Sequence, residues 1–304
     1  MSTVTTSPAI VKTDRSSRGD IHSISVNLDK RYCEYLPPGT NFPELRSLAV
    51  DQLNQAGFYK VANDIEECGH KFTVYQCEEC GKRPATLFNC DQRLCPRCHY
   101  RQLLRFFRSH EKEWQDIGEI TIVSFSYGKR PVKELAAALA GAKRLHELAV
   151  KGGLRPYSGV YYREPKVTDD GESVEIIYHY MLAEPHSNVL FMALRVCGVS
   201  HFGEQRTFGN YPAAYRYFIK HHCPFPISLL LREDLLRSYL HILRHQRLIQ
   251  GFGSLVKVSG GRGKSKAEAN RYACPFCGGK THYYLRCSKD AVAWDPGAGT
   301  FYNP

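Results

Sequence analysis

Three Cys-x-x-Cys pairs, Cys77 with Cys80, Cys95 with Cys98 and Cys274 with Cys277, constrain this chain more than any other feature of its sequence. Two intervening residues let both thiolates of a pair point at one ion, so each pair supplies one edge of a metal tetrahedron. Most of the twelve cysteines fall in or near such pairs, and no charged, apolar, small-residue leader opens the sequence, so zinc thiolates are expected rather than disulfides. The spacing predicts one four-thiolate site from Cys77, Cys80, Cys95 and Cys98. Around it stand Cys68, His70, Cys90 and His99, enough ligands for a second ion, with their pairing left open by spacing alone. Near the far end, "CPFCGGKTHYYLRC" places Cys274, Cys277, His282 and Cys287 at the interval of a zinc knuckle. A knuckle offers aromatic faces, here Phe276 or Tyr283, to unpaired bases. A plain structural ribbon uses the same ligands, with Tyr283 and Tyr284 as packing residues. Cys33, Cys197 and Cys223 stand alone and read as small buried hydrophobes.

An excess of 41 Lys and Arg over 30 Asp and Glu, +11 with His neutral, favours an anionic partner such as nucleic acid. Arg93, Arg97, Arg101, Arg105 and Arg108 are the residues expected to hold its phosphates. No apolar run is long enough to cross a bilayer, so no membrane is expected as a partner and a cytoplasmic location is.

Along the chain, residues 1–25 read as a flexible arm and 26–110 as an amino-terminal segment with the zinc module, closed by an amphipathic helix in "RCHYRQLLRFFRSH". The core spans 111–226. "EITIVSFSY" at 119–127 has strand composition, and apolar residues at helical spacing then run from Pro131 to Ala149 before Gly152 and Gly153. Strands are expected in 158–167, 173–182 and 188–196, and a helix opened by Pro212 at 211–221. A helical extension, 227–258, carries a helix from about 229 to 249. A basic linker at 259–268 leads to the knuckle and tail at 269–304.

The run from Cys68 to Gln102, with "RLCPRC" at its centre, resembles the amino-terminal zinc module of rolling-circle replication initiators and rolling-circle insertion-sequence transposases. Residues 119 to about 221 continue the resemblance, in order, into the HUH-endonuclease domain that follows this module in such proteins. The resemblance implies an α+β fold: an antiparallel sheet flanked by helices, an HUH-endonuclease-like core, between the amino-terminal zinc module and the carboxy-terminal knuckle or ribbon. It also implies a divalent ion held by two histidines at i and i+2 of one strand, which share a face. This sequence departs from that pair. One register sets Ile177 beside His179, with Glu175 on the same face as a replacement ligand suited to Mg or Mn; the other sets His186 beside Asn188. The family's Tyr-x-x-Lys helix matches Tyr217 and Lys220, with Tyr215 as the near alternative. By resemblance, Tyr217 attacks a DNA phosphorus and Lys220, one turn on, steadies the developing charge.

The resemblance thus implies a plasmid or viral replication initiator that nicks and joins single-stranded or hairpin origin DNA, working with host replication proteins. A rolling-circle transposase uses the same chemistry. The missing histidine supports a rival from another class, a non-catalytic zinc-dependent regulator that binds nucleic acid. A zinc-stabilised protein adaptor is a third reading, and it predicts salt-insensitive binding.

Overall fold

The computed structural model describes residues 32–36, 41–149, 151, 158–184, 192, 195, 201–243, 249–252 and 273–304. The expected arm, the basic linker, the strand at 188–196 with Asn188, the glycine stop at 152–153, His186 and Cys197 lie outside them, apart from isolated positions of that strand.

Alternation in the longest expected strand divides the molecule into layers. In β5 (Ser173–Ala183), Val174, Ile176, Tyr178, Tyr180 and Leu182 are buried on one face, while Glu175, Ile177, His179 and Met181 take the other. β5 lies at the centre of an antiparallel sheet in the order β6-β3-β5-β4-β7, with β3 at Ile120–Pro131, β4 at Gly159–Val167, β6 at His201–Phe208 and β7 at Ile249–Phe252. The first face packs on α5 (Leu135–Ala149). The second receives α6 (Tyr211–His222), which Asn210 caps by accepting the Ala213 amide at 2.9 Å. Tyr211, Ala214, Tyr215, Phe218, Ile219 and His222 recur at helical spacing and form its buried stripe.

Ahead of this sheet, α1 (Phe42–Gln55) and α2 (Tyr59–Glu67) lead into β1 (Lys71–Cys77), β2 (Pro84–Leu87), α3 (Pro96–Ser109) and the single turn α4 (Glu111–Trp114). The expected basic helix is therefore α3. Leu103, Leu104 and Phe107 are buried in it, in one core with α6 and the large sheet.

Two expectations are corrected. The helix from about 229 to 249 is instead α7 (Ile227–Leu230) and α8 (Glu233–Leu243), followed by β7. Arg232 stands at the break, binding the Asp234 carboxylate at 3.0 Å and the Gly171 carbonyl at 2.6 Å. β7 fits beside β4 because Gly159 has no side chain: a Cβ there would lie 2.7 Å from the Phe252 ring.

The carboxy-terminal segment is also no separate knuckle. β8 (Thr281–Ser288) pairs with β1, and β10 (Thr300–Tyr302) pairs with β2 and with β9 (Ala293–Asp295), in a second antiparallel sheet ordered β8-β1-β2-β10-β9. Its own core is small: Phe72, Val74, Ala85 and Val292 are the buried members.

Candidate functional site: two thiolate centres and a histidine cluster

The second sheet explains how the cysteines group. Cys77 ends β1 and faces Thr281 of β8, so the tight turn holding Cys80 meets the turn holding Cys274 and Cys277. Cys77 and Cys277 sulfurs lie 3.5 Å apart, and those of Cys80 and Cys274 lie 3.6 Å apart. The other four, Cys68, Cys90, Cys95 and Cys98, converge where α2 ends and α3 begins, with Cys98 3.5 Å from Cys68 and 3.7 Å from Cys90. Zn–S bonds of about 2.3 Å in a tetrahedron set sulfurs about 3.8 Å apart, so both quartets fit zinc in donor chemistry and spacing.

The electrostatics agree. Hydrogen bonds from the Cys90, Cys95 and Cys98 thiols pull Cys68 far below the ordinary thiol range, while Cys90 is pushed up. Only a cation lets four such sulfurs ionise together. In the other quartet the Cys80 amide draws Cys77 down to about 7. The two centres differ in setting, since Cys68, Cys95 and Cys98 are fully enclosed in the main core while Cys80 and Cys277 are exposed. Gly69, at φ +80°, makes the inner centre compact: a Cβ there would collide with the buried Arg97 guanidinium.

The sequence-expected pairing is thereby corrected, because Cys77 and Cys80 are shared with Cys274 and Cys277 rather than with Cys95 and Cys98. Four expected ligands join neither quartet. His70 contacts Arg46 through Nε2, and His282 faces Glu78 at 3.7 Å, both exposed. Cys287 sits opposite Phe72 on the small sheet's core. His99 is fully buried, and its Nε2–H donates to the Cys223 carbonyl at 3.1 Å. Burial holds it down to about 4, so it is a neutral packing residue. Cys223 is buried, as expected of an isolated cysteine, whereas Cys33 is exposed.

A second constellation lies on the α6 face of the large sheet. His179 Nε2–H donates to Glu164 Oε2 at 2.8 Å, which fixes its tautomer and turns the Nδ1 lone pair inward. That Nδ1 accepts from Ser124 Oγ at 2.7 Å and lies 3.1 Å from His222 Nδ1, which is 3.2 Å from the same hydroxyl. Burial first, then the neighbouring His179 and His221, brings His222 down to about 3, leaving a neutral imidazole. The Tyr217 ring stands 5.6 Å from the His222 ring and 4.4 Å from His221, with the Arg206 guanidinium 4.5 Å above its centroid.

Glu175 does not join this cluster. It sits four residues from His179, about 13 Å along the strand, opposite Lys129 and Lys166. Glu164 supplies the carboxylate instead, from the neighbouring strand. Tyr215 turns into the core, 5.8 Å from Phe107, while Tyr217 is half-buried and Lys220 exposed. Of the expected phosphate holders, Arg105 and Arg108 are exposed; Arg97 is buried and Arg101 pairs with Asp91. Glu164 and His222 escaped sequence reasoning. The "KHH" end of the Tyr217 helix was the available signal for His222, but Glu164 depends on strand register.

Fold and centres together define an α+β protein with two four-cysteine clusters suited to zinc, one in the core and one joining distant parts of the chain. Residues 45–125 match the transposase zinc-binding domain family, of the IS91 type. No curated protein and no solved structure matches the chain. Among the described residues no helix is long and apolar enough to cross a membrane.

Proposed function

We propose that this chain nicks and rejoins single-stranded or hairpin DNA as a rolling-circle transposase, with Tyr217 as nucleophile. One observation carries the reading: Tyr217, His222, His179 and Glu164 succeed one another across one sheet face, beside a transposase zinc-binding domain. The replication-initiator form of this chemistry uses the same groups, and the match at residues 45–125 favours the transposase form.

In the proposed reaction the Tyr217 oxygen bonds to phosphorus as the P–O3′ bond breaks. The DNA 3′-oxygen leaves and takes up a proton, and the protein keeps a 5′-phosphotyrosyl link. The proton that Tyr217 gives up passes to solvent, while His222, 5.6 Å from its ring, keeps its Nδ1 turned to His179. Arg206 and Lys220, both exposed, supply positive charge where the phosphate would lie.

His179 Nδ1, His222 Nδ1 and Ser124 Oγ are mutually 2.7–3.2 Å apart. Ligands of an octahedral ion with bonds of about 2.1 Å are separated by about 3 Å, so these three fit a divalent ion. Imidazole donors favour manganese over magnesium. Such an ion would polarise the scissile phosphate. Glu164 would act from behind His179, orienting it.

The test is incubation with labelled single-stranded oligonucleotides from the flanks of the chain's own coding region, with manganese, scoring adducts that survive denaturation. An adduct formed by the unaltered protein and by Tyr215→Phe, but lost in Tyr217→Phe, is expected. Salt-sensitive binding without any adduct would instead favour the non-catalytic regulator, which Ile177 in place of a second strand histidine already recommends.

A further inference from the structure

A cavity of about 650 Å³ opens between the zinc module and α8, bordered by Phe58, Asp91, Arg93, Arg237, Tyr239 and His241. Its volume falls among those of small-molecule pockets. Its charge is one-sided. Arg93 and Arg237 border it, while Asp91 is already taken by Arg101, and Glu233 approaches Arg237 only to 3.9 Å at the exposed rim.

Arg93 is the unusual member. Its Nη1 is shut away from solvent with no hydrogen-bond partner among the described residues, and so is the Tyr239 hydroxyl. The ionisable groups that act on Arg93 are Tyr239, Tyr162 and a second cation, Arg163. A buried guanidinium nitrogen without an acceptor is costly, and an anionic oxygen relieves the cost. In the same lining the Arg237 guanidinium lies 5.6 Å from the Phe58 ring centroid, a cation beside an aromatic face.

We propose that this cavity is a nucleotide pocket: Arg93 and Tyr239 take the phosphate, and the base stacks against Phe58 and Arg237. The inference rests on the nucleic-acid reading only for the source of the nucleotide, a unit of a bound strand rather than a free nucleotide.

Deoxyadenosine monophosphate and deoxyadenosine are titrated calorimetrically into the full-length, zinc-loaded protein, beside anisotropy of a labelled single-stranded oligonucleotide. The monophosphate binds and the nucleoside binds more weakly. Arg93→Met, which keeps the packing, and Arg237→Ala each weaken monophosphate binding by about tenfold or more. The thermal midpoint of Arg93→Met holds or rises, because a buried donor without a partner is gone. Should that variant not fold, Arg237→Ala and His241→Ala at the exposed rim carry the same expectation. Oligonucleotide affinity that falls in these variants identifies the strand as source; monophosphate binding alone that falls identifies a free nucleotide. Monophosphate binding that is absent, or unchanged in the variants, overturns the pocket. The Tyr217 adduct is scored in parallel: its absence with intact monophosphate binding removes the nickase and leaves the pocket standing.

Discussion

Opening the outer thiolate centre tests whether the carboxy-terminal strands are held by metal or by packing. Cys277→Ser removes one exposed ligand from the quartet that joins Cys77 and Cys80 to Cys274. A structural zinc contributes about 10 kcal/mol or more to the segment it folds. As a cross-link it also closes a loop of about 200 residues, worth about 5 kcal/mol of chain entropy. Against this, among the described residues, the small sheet buries Phe72, Val74, Ala85 and Val292, at most about 3 kcal/mol for each large side chain, with Leu285 and Phe301 partly buried against them. The metal therefore outweighs the packing, and β8–β10 should detach while the main core stays folded. The two tryptophans separate these events. Trp114 is fully buried, 5.3 Å from Tyr211 in the main core, whereas Trp294 lies on β9 and is 49% exposed. In Cys277→Ser, or in mild chelator, residues 273–304 become the first site of limited proteolysis, and Trp294 emission shifts red without change at Trp114. Continued amide protection of β8 in that variant, at the level of the unaltered protein, would refute the reasoning.

Other outcomes follow from the same geometry. Cys98→Ser, in the enclosed quartet, should yield unfolded or insoluble protein rather than a detached tail, read by circular dichroism, because the ligand is buried in the main core. His146, buried against Tyr161 and Tyr178, is held down to about 3. The unfolded chain then binds a proton that the folded one does not, so stability is full above about pH 6.5 and falls by up to about 1.4 kcal/mol per pH unit toward pH 3. Urea titrations at several pH values should show His146→Leu losing about one proton from that slope. Arg105→Ala and Arg108→Ala should each reduce the log–log salt slope of oligonucleotide binding by about one. Arg97→Ala, packed over Gly69, should lower the melting temperature instead.

What the sequence made legible was local. The stripe of α6, the basic helix α3 and the strand composition of β5 each depend on residues within one or two turns or pleats, and the structure keeps all three elements. Pairing across distance was not legible. Cys77 and Cys95 are near in sequence and look like one site, yet the partners of Cys77 lie about 200 residues away because β8 pairs with β1. The interval Cys274 to Cys287 imitates a knuckle for a related reason: His282 and Cys287 fall on a strand, where extended backbone carries them away from the turn that holds the first two cysteines. The carboxylate of the histidine cluster was hidden in the same way. Glu175 shares a strand face with His179, but a neighbouring strand brings Glu164 far closer, and only the register of β4 on β5 reveals it.

The two centres bear differently on the proposed nucleophile. The enclosed quartet anchors the start of α3, and the next residue, His99, packs edge-on against Tyr162 at 6.3 Å between centroids. Tyr162 stands opposite His179 in the sheet, their rings 6.4 Å apart, and its hydroxyl donates to the Pro224 carbonyl just beyond α6. His99 also holds the end of α6 through the Cys223 carbonyl. The inner metal thus braces both the strand carrying His179 and the helix carrying Tyr217 and His222. The outer metal reaches none of these residues directly; it orders the small sheet. Loss of the outer ion should spare the geometry of the histidine cluster, and loss of the inner ion should dismantle it. On the nickase reading, graded chelation therefore removes the carboxy-terminal strands before it removes tyrosyl adduct formation.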